Sequence, residues 1–135
     1  MNSWGQIFRV SIWGESHGQQ VGVSIDGVPS GIALCEEDFA KDLERRRAGA
    51  LGTTPRKESD IPHIVSGVYN DFTTGSPLTI EFVNENTQSG DYKNLVPHPR
   101  PSHADLVAQQ TWNGYNDPRG GGHFSGRITL GVVAA

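Results

Sequence analysis

Three short segments of this chain place histidine or arginine side chains among glycines and prolines, where a packed core would need apolar residues. They are residues 14–18 (GESHG), 97–105 (PHPRPSHAD) and 119–127 (RGGGHFSGR). Glycine lets the backbone approach a ligand closely, histidine exchanges protons near neutral pH, and arginine holds phosphate or carboxylate in a planar fork. The three segments therefore predict an anionic ligand and a proton-transfer step.

His103 lies in a stretch that is typical of a helix start. Ser102 and Asp105 have the spacing of a capping box with Ser102 as the N-cap, so the pattern places His103 in the first helical turn. The positive end of the helix dipole disfavours imidazolium, whereas a bound anion favours it. We interpret His103 as a tunable proton carrier, with a plain surface role as the alternative. His98 and His63 are interpreted as surface side chains.

Other chemistries compete for the same residues. Residues 14–18 match the G-x-S-x-G nucleophile elbow, which needs a strand, a sharp turn and a helix. The residues that follow alternate as in a strand, so Ser16 is disfavoured as a nucleophile and His17 becomes the candidate. The five histidines and Cys35 lack the spacing of zinc ligands, so no metal site is predicted. Residues 120–122 are interpreted either as a phosphate cradle before a helix or as a linker.

The composition limits the class of protein. A chain of 135 residues has the length of one domain, and 35% hydrophobic residues with 17 glycines and 8 prolines leave much of it to turns and loops. A net charge of -4 argues against sequence-independent binding to nucleic acid. The start of the chain resembles neither a signal peptide nor a membrane span, and a single cysteine fits a reducing compartment. We therefore expect a cytoplasmic protein that binds neither nucleic acid nor a membrane.

The hydrophobic pattern predicts an α+β fold, in which helices pack on an antiparallel sheet. Alternating apolar residues predict strands at residues 7–13, 20–26, 62–69 and 77–83. Helices are predicted at residues 36–48 and 103–113, with a third from residue 124. The first two strands should form a hairpin whose connection, residues 14–20, is too long for a two-residue turn and is typical of a binding loop.

Residues 128–135 (ITLGVVAA) are an apolar segment with neither a helix cap nor a polar tail. Such a segment normally continues into something that it packs against. We therefore expect residues 1–135 to be the N-terminal part of a longer single domain, truncated at the C-terminus.

Taken together, the motifs resemble the chorismate synthase family. Each piece is common alone, but their order and approximate spacing are those of the family along essentially the whole chain. The motifs are residues 14–18 (GESHG), 42–47 (DLERRR), 73–75 (TTG), 98–105 (HPRPSHAD) and 119–122 (RGGG). Members of the family are much longer than this chain, which agrees with the expected truncation.

The resemblance implies an activity and a set of site residues. Members are carbon–oxygen lyases of the shikimate pathway and of aromatic amino acid biosynthesis: they eliminate phosphate from 5-enolpyruvylshikimate 3-phosphate to form chorismate, and they require reduced FMN without net redox change. His17 matches the general acid of the family, and His103 matches a second histidine near the flavin. Arg47 and Arg100 match residues that bind the substrate or NADP. The complete fold is expected to sandwich helices between sheets in a homotetramer.

The chain departs from the family pattern in its flavin segment. Many members read RSSAR where residues 123–127 read HFSGR. By position, the FMN-binding residues are His123, Phe124 and Ser125. Ser125 and Arg127 are retained from the family pattern, whereas the two residues before Ser125 are substituted.

A second arginine that usually follows the arginine run has no clear counterpart here, and Arg56 fits only with a register shift. Further catalytic and flavin-binding residues of the family would lie beyond residue 135. Because an incomplete constellation of groups loses orders of magnitude in rate, the chain alone is expected to be inactive. The alternative function is a non-catalytic module that binds phosphate or another anion.

Overall fold

The computed structural model of the 135-residue chain describes residues 2–47, 59–85 and 98–135. Within these ranges, short helices cover an antiparallel sheet. The α+β class and the antiparallel arrangement predicted from the sequence are therefore confirmed. The wider sandwich of sheets and helices stays a prediction.

The described residues form short strands and three α-helices. The strands are β1 (Ser3–Trp4), β2 (Arg9–Gly14), β3 (Gln20–Asp26), β4 (His63–Ser66), β5 (Val68–Tyr69), β6 (Phe72–Thr73) and β7 (Leu78–Val83). The α-helices are α1 (Ala40–Arg46), α2 (Asp105–Thr111) and α3 (Thr129–Ala134). 3₁₀-helical segments cover Glu36–Phe39, Arg119–Phe124 and Gly126–Ile128. In the described part of the chain, no helix is long and apolar enough to cross a bilayer.

The main sheet has five strands in the order β1-β2-β3-β7-β4, and all neighbours are antiparallel. β2 and β3 form a hairpin in which Val10 lies opposite Ile25 and Ile12 lies opposite Val23. On its other side β3 pairs with β7, where Val23 lies opposite Ile80. Alternate side chains of a strand share one face, and these five residues are buried on the core face of the sheet.

Helix α3 closes the core over the sheet. Its Leu130 is fully buried, and α1 packs beside it with Leu43 in the same core. A Cβ atom on Gly131 would lie 2.7 Å from the carbonyl oxygen of Gly22 on β3. Only a residue without a side chain permits this approach, so the helix rests directly on the strand backbone.

The strand predicted over residues 62–69 is interrupted at Gly67, which has a left-handed φ of +90°. The pairing of β4 with β7 is already irregular between Ile64 and Ser66. Beyond Gly67 the chain leaves the main sheet, and β5 and β6 pair as a separate hairpin. The segment between β4 and β7 therefore contains a small hairpin.

The other strand and helix boundaries agree to different degrees with those predicted from the sequence. β3 has the predicted bounds, while β2 and β7 are shifted or shortened by one or two residues. The helix predicted at 36–48 begins as a 3₁₀-helix and continues as α1, and residue 48 lies outside the described residues. The helix predicted at 103–113 is shortened to α2, and the third α-helix begins at residue 129 instead of 124. β1 and β6 were not predicted, because strands of two residues carry no periodicity, whereas β5 falls inside the strand predicted over residues 62–69.

Candidate active site

His17 lies on the connection between β2 and β3, called here the His17 loop (residues 15–19), and this loop buries it. Ser16 is 1% exposed and His17 is 8% exposed. The hydroxyl oxygen of Ser16 lies 3.2 Å from Nδ1 of His17. The loop joins two strands of one hairpin, so Ser16 does not have the strand–turn–helix setting of a nucleophile elbow.

Asn84, the residue after β7, anchors the His17 loop from one side. Its side-chain amide donates to the carbonyl oxygens of Glu15 (2.9 Å) and Gly18 (2.8 Å). Its backbone N–H donates to the carbonyl oxygen of Gln19 at 3.0 Å. One residue thus satisfies three carbonyl groups of the loop, and the loop conformation is tied to the end of β7.

Residues 120–122, called here the glycine turn, cover the other side of the His17 loop. The carbonyl oxygen of Gly122 accepts a hydrogen bond of 3.0 Å from the backbone N–H of Ser16. A Cβ atom on Gly120 would collide with Oγ of Ser16 and would lie 2.8 Å from Cε1 and 2.9 Å from Nδ1 of His17. The backbone of the glycine turn therefore lies directly against the imidazole.

The glycine turn differs from the predicted phosphate cradle. All three glycines have a left-handed φ (+58°, +85° and +56°), and the N–H of Gly121 donates to the carbonyl oxygen of Pro118 at 3.3 Å. No α-helix begins at the turn, because α3 begins at residue 129. The α-helix that the cradle interpretation placed directly after the glycines is therefore absent from this position, and the glycine turn contacts the His17 loop.

Asp117 and Arg119 form an ion pair just before the glycine turn. Arg119 donates to the carboxylate of Asp117 through Nε (2.8 Å) and Nη2 (2.7 Å). These hydrogen bonds, with a smaller contribution from positive charge on His17, hold the pKa of Asp117 below its ordinary value. The imidazole of His17 thus lies within the electrostatic field of a carboxylate.

Arg100 and Asp105 form a second ion pair on the segment that carries His103. Arg100 donates to the carboxylate through Nε (2.8 Å), Nη2 (2.9 Å) and its backbone N–H (3.0 Å). The side chain of Asp105 is only 4% exposed. These hydrogen bonds from Arg100 lower the pKa of Asp105 to about 2.

This pairing replaces the predicted capping box, which is wrong. Ser102 has a left-handed φ of +61° and is not the N-cap, and α2 begins after Ala104 without a side-chain cap. His103 consequently lies before the helix, not in its first turn. It is exposed, and its Nδ1 lies 3.0 Å from the carbonyl oxygen of Pro101. The carboxylate of Asp105 accepts hydrogen bonds from Arg100 and does not cap the start of the helix.

A cavity of about 420 Å³ brings several predicted site residues together. Its walls include Arg100, His103, Gly120, Phe124 and Ser125. Two segments that are separate in sequence thus contribute to one space. Gly120 connects this cavity to His17, because its backbone faces the cavity and lies against the imidazole.

A larger cavity of about 800 Å³ shares Phe124 with the first and is also lined by His123. Nδ1 of His123 lies 2.6 Å from the carbonyl oxygen of Gly14. The ring centroids of Trp112 and Phe124 are 5.5 Å apart. The three residues assigned to FMN therefore line two cavities, His123 in the larger, Ser125 in the smaller and Phe124 in both.

Arg47 does not line either of these cavities. It follows α1, its side chain is 55% exposed, and its Nη1 lies 2.9 Å from the carboxylate of Glu44. Arg56, the possible second arginine, lies outside the described residues. His63 and His98 are exposed, as predicted. The structure groups Arg100 with His103 and leaves Arg47 at the surface.

A buried ion cluster supports the site and was not found from the sequence. The guanidinium of Arg127 donates to the carboxylate of Asp60, to Oδ1 of Asn84 and to the carbonyl oxygen of Val83. Asp60 also accepts from Nη1 of Arg46 at 2.9 Å. Arg127 is 6% and Asp60 is 7% exposed. Arg127, which is retained from the family pattern, ties the residues before α3 to the end of β7.

The side chains at the two cavities fit the chemistry of a flavin. Phe124 and Trp112 offer aromatic surface on which a flat ring system packs, and Ser125 adds a hydroxyl group to the smaller cavity. For a metal ion the described ranges offer no group of three histidine, cysteine or acidic side chains. The two cavities therefore offer aromatic surface and a hydroxyl group to a ligand.

Fold and site define an α+β protein in which a buried histidine of a hairpin loop adjoins a cavity lined by arginine, histidine and phenylalanine. A family model described as "Chorismate synthase" matches residues 8–135. The chain belongs to the chorismate synthase family. The resemblance found in the sequence is thus confirmed.

Individual relatives agree with this assignment. A chorismate synthase of Chitinophaga pinensis is 64% identical over 135 residues, which are 100% of this chain and 41% of the relative. A chorismate synthase of Thermococcus gammatolerans is 49% identical over 131 residues, 97% of this chain and 37% of the relative. A crystal structure of chorismate synthase superimposes with a TM-score of 0.64 at 28% identity, over 96% of this chain and 32% of that chain. The chain spans about two fifths of the length of these curated relatives.

Proposed function

We propose that this chain supplies part of the active site of a chorismate synthase, a carbon–oxygen lyase of the shikimate pathway. The reaction is the anti-1,4-elimination of phosphate from 5-enolpyruvylshikimate 3-phosphate: a C–O and a C–H bond break, a double bond forms, and phosphate and a proton leave. Family membership supports the reaction. The observation that carries the assignment of roles is the buried His17 beside the cavity of Arg100 and His103.

His17 is assigned as the general acid. Phosphate leaves more readily when it is protonated, and a positioned side chain supplies that proton best. Asp117, which is paired with Arg119, lies close enough to the imidazole for the two groups to interact electrostatically. The hydroxyl of Ser16 and the backbone of Gly120 restrict the orientation of the ring, so the proton is held in one direction.

Arg100 and His103 are assigned to the substrate and to the flavin, respectively. The substrate carries a phosphate and two carboxylates, which require fixed cationic groups. Asp105 holds the guanidinium of Arg100 in one orientation at the wall of the cavity. His103 lines the same cavity but is exposed, which suits a residue that adjusts the protonation of a bound cofactor. Arg47 is assigned to an anion of the substrate or of NADP.

His123, Phe124 and Ser125 are assigned to FMN. Reduced FMN, when bound, supplies the electron-rich ring that the elimination requires although substrate and product differ by no net redox change. Phe124 offers ring surface to both cavities, and the bond of His123 to the Gly14 carbonyl fixes its imidazole. We also propose, on the family resemblance, a cytoplasmic homotetramer.

The proposal is tested by chorismate formation under anaerobic conditions with chemically reduced FMN. The protein at its natural length should turn over 5-enolpyruvylshikimate 3-phosphate. The 135-residue chain alone should not, because it corresponds to only 41% of the length of a related chorismate synthase. The groups that the rest of the enzyme would add to the active site are then missing. Binding of the substrate by the natural-length protein without turnover would instead support the non-catalytic anion-binding module.

A further inference from the structure

Gly120 has a contact that neither the sequence pattern nor the family assignment explains. We propose that Gly120 is a positioning residue for His17: because it has no side chain, the backbone of the glycine turn lies against the imidazole and fixes its orientation. The inference rests on the proposed role of His17 as general acid. It concerns the ring itself, so it can be measured separately from the reaction.

Backbone conformation alone does not require glycine at this position. Gly120 has φ +58° and ψ 20°, which lies near the left-handed region that asparagine and aspartate also adopt. The neighbouring atoms do require it, since any Cβ atom would lie 2.8 Å from Cε1 of His17 and would collide with Ser16. The requirement for glycine therefore comes from the close contacts with Ser16 and with the imidazole of His17.

The glycine turn is held in place and cannot simply move away from an added methyl group. The carbonyl of Gly122 accepts from the N–H of Ser16, and the backbone of Gly122 packs tightly on the carbonyl of Asp117. Asp117 is in turn fixed by Arg119. An added side chain at position 120 would therefore displace the imidazole of His17.

The chain offers a matched control at Gly114. Gly114 also has a left-handed φ, +79°, but nothing lies within 4 Å of the position of a Cβ atom there. It is outside the residues that line the two cavities. Gly120→Ala and Gly114→Ala therefore share the cost of a left-handed alanine, and only the first adds a contact with His17.

The test uses the natural-length protein. In Gly120→Ala we expect kcat to fall by about 10²-fold, the loss that a displacement of about 1 Å causes, while KM for the substrate changes little. The NMR signals of Cε1 and its hydrogen in His17 should shift. Gly114→Ala should leave both the kinetics and the His17 signals close to those of the unchanged protein.

Each outcome decides the inference. Equal kinetics and equal His17 signals in the two variants would overturn it. If Gly120→Ala does not fold, two double variants decide, Ser16→Ala/Gly120→Ala and His17→Ala/Gly120→Ala, because each removes one of the two colliding side chains. More folded protein after removal of the imidazole than after removal of the hydroxyl supports the contact with His17, and any other result overturns it. If the natural-length protein forms no chorismate, the proposed function fails, but the NMR comparison still tests the contact.

Discussion

The two histidines of the site are held in opposite ways. His17 is 8% exposed and is enclosed by Ser16, by the glycine turn and by a loop that Asn84 anchors. His103 is exposed, and its ring nitrogen is held by the carbonyl of Pro101 two residues earlier. The first orientation depends on segments far apart in the chain, and the second depends on a local turn. The difference agrees with the proposed roles, in which His17 is a fixed proton donor and His103 adjusts the protonation of the cofactor.

The largest effect is expected from removing the enclosed histidine. His17→Ala should lower kcat by about 10² to 10⁴-fold, the usual value of one general-acid side chain, and should leave flavin affinity little changed, because the interaction grows as charge develops on the leaving group. His63→Ala, on the exposed face of β4, is the control. A loss well below tenfold would mean that His17 is structural.

A second large effect, on stability, is expected from breaking the buried ion cluster of Arg127 and Asp60. Arg127→Met should lower the free energy of unfolding by at most about 3–5 kcal/mol, because it leaves the buried carboxylate of Asp60 paired with Arg46 alone. Urea titration measures this value. The exposed pair of Arg45 with Asp42 provides the control, since Arg45→Met should cost no more than about 1 kcal/mol. Similar losses in both variants would contradict the role given to the cluster.

The ion pair of Arg100 with Asp105, on the segment that carries His103, should contribute to the pH dependence of the free energy of unfolding. The pKa of Asp105 is about 2 in the folded protein against an ordinary value of 3.8, so the folded state binds fewer protons between these values. The stabilisation, about 2 kcal/mol, is complete above pH 4 to 5 and is lost as the pH falls through about 2. Asp105→Asn should abolish this contribution, and Asp42→Asn should not. Equal slopes of unfolding free energy against pH in the three proteins would refute the assignment.

The smallest effect on stability is expected at the exposed histidine. His103→Ala should change the free energy of unfolding by no more than about 0.5 kcal/mol, as is usual for surface substitutions. It should nevertheless alter the rate and the pH dependence of the absorption spectrum of bound reduced FMN. A stability loss as large as that of Arg127→Met, with an unchanged spectrum, would show that the two histidines do not differ in the way proposed.

The sequence was informative where local periodicity reports burial. The alternation over residues 20–26 located β3 with its correct ends and showed that the His17 loop joins two strands. The capping box failed because Arg100 competes for Asp105, and a bidentate ion pair is the stronger partner for that carboxylate. The cluster of Asp60 and Arg127 left no local signal, because its partners meet only in the folded chain.

The strand order has a consequence for how the molecule folds. β3 pairs on one side with its neighbour in sequence, β2, and on the other with β7, which is distant in the chain. Closing the longer loop costs more chain entropy, so the nearby hairpin is favoured to form first. The His17 loop is the connection of that hairpin, whereas Asn84 and the glycine turn come from later segments. His17, the proposed proton donor, thus lies in a loop that forms early in folding, and its imidazole acquires a defined orientation only when the distant segments dock.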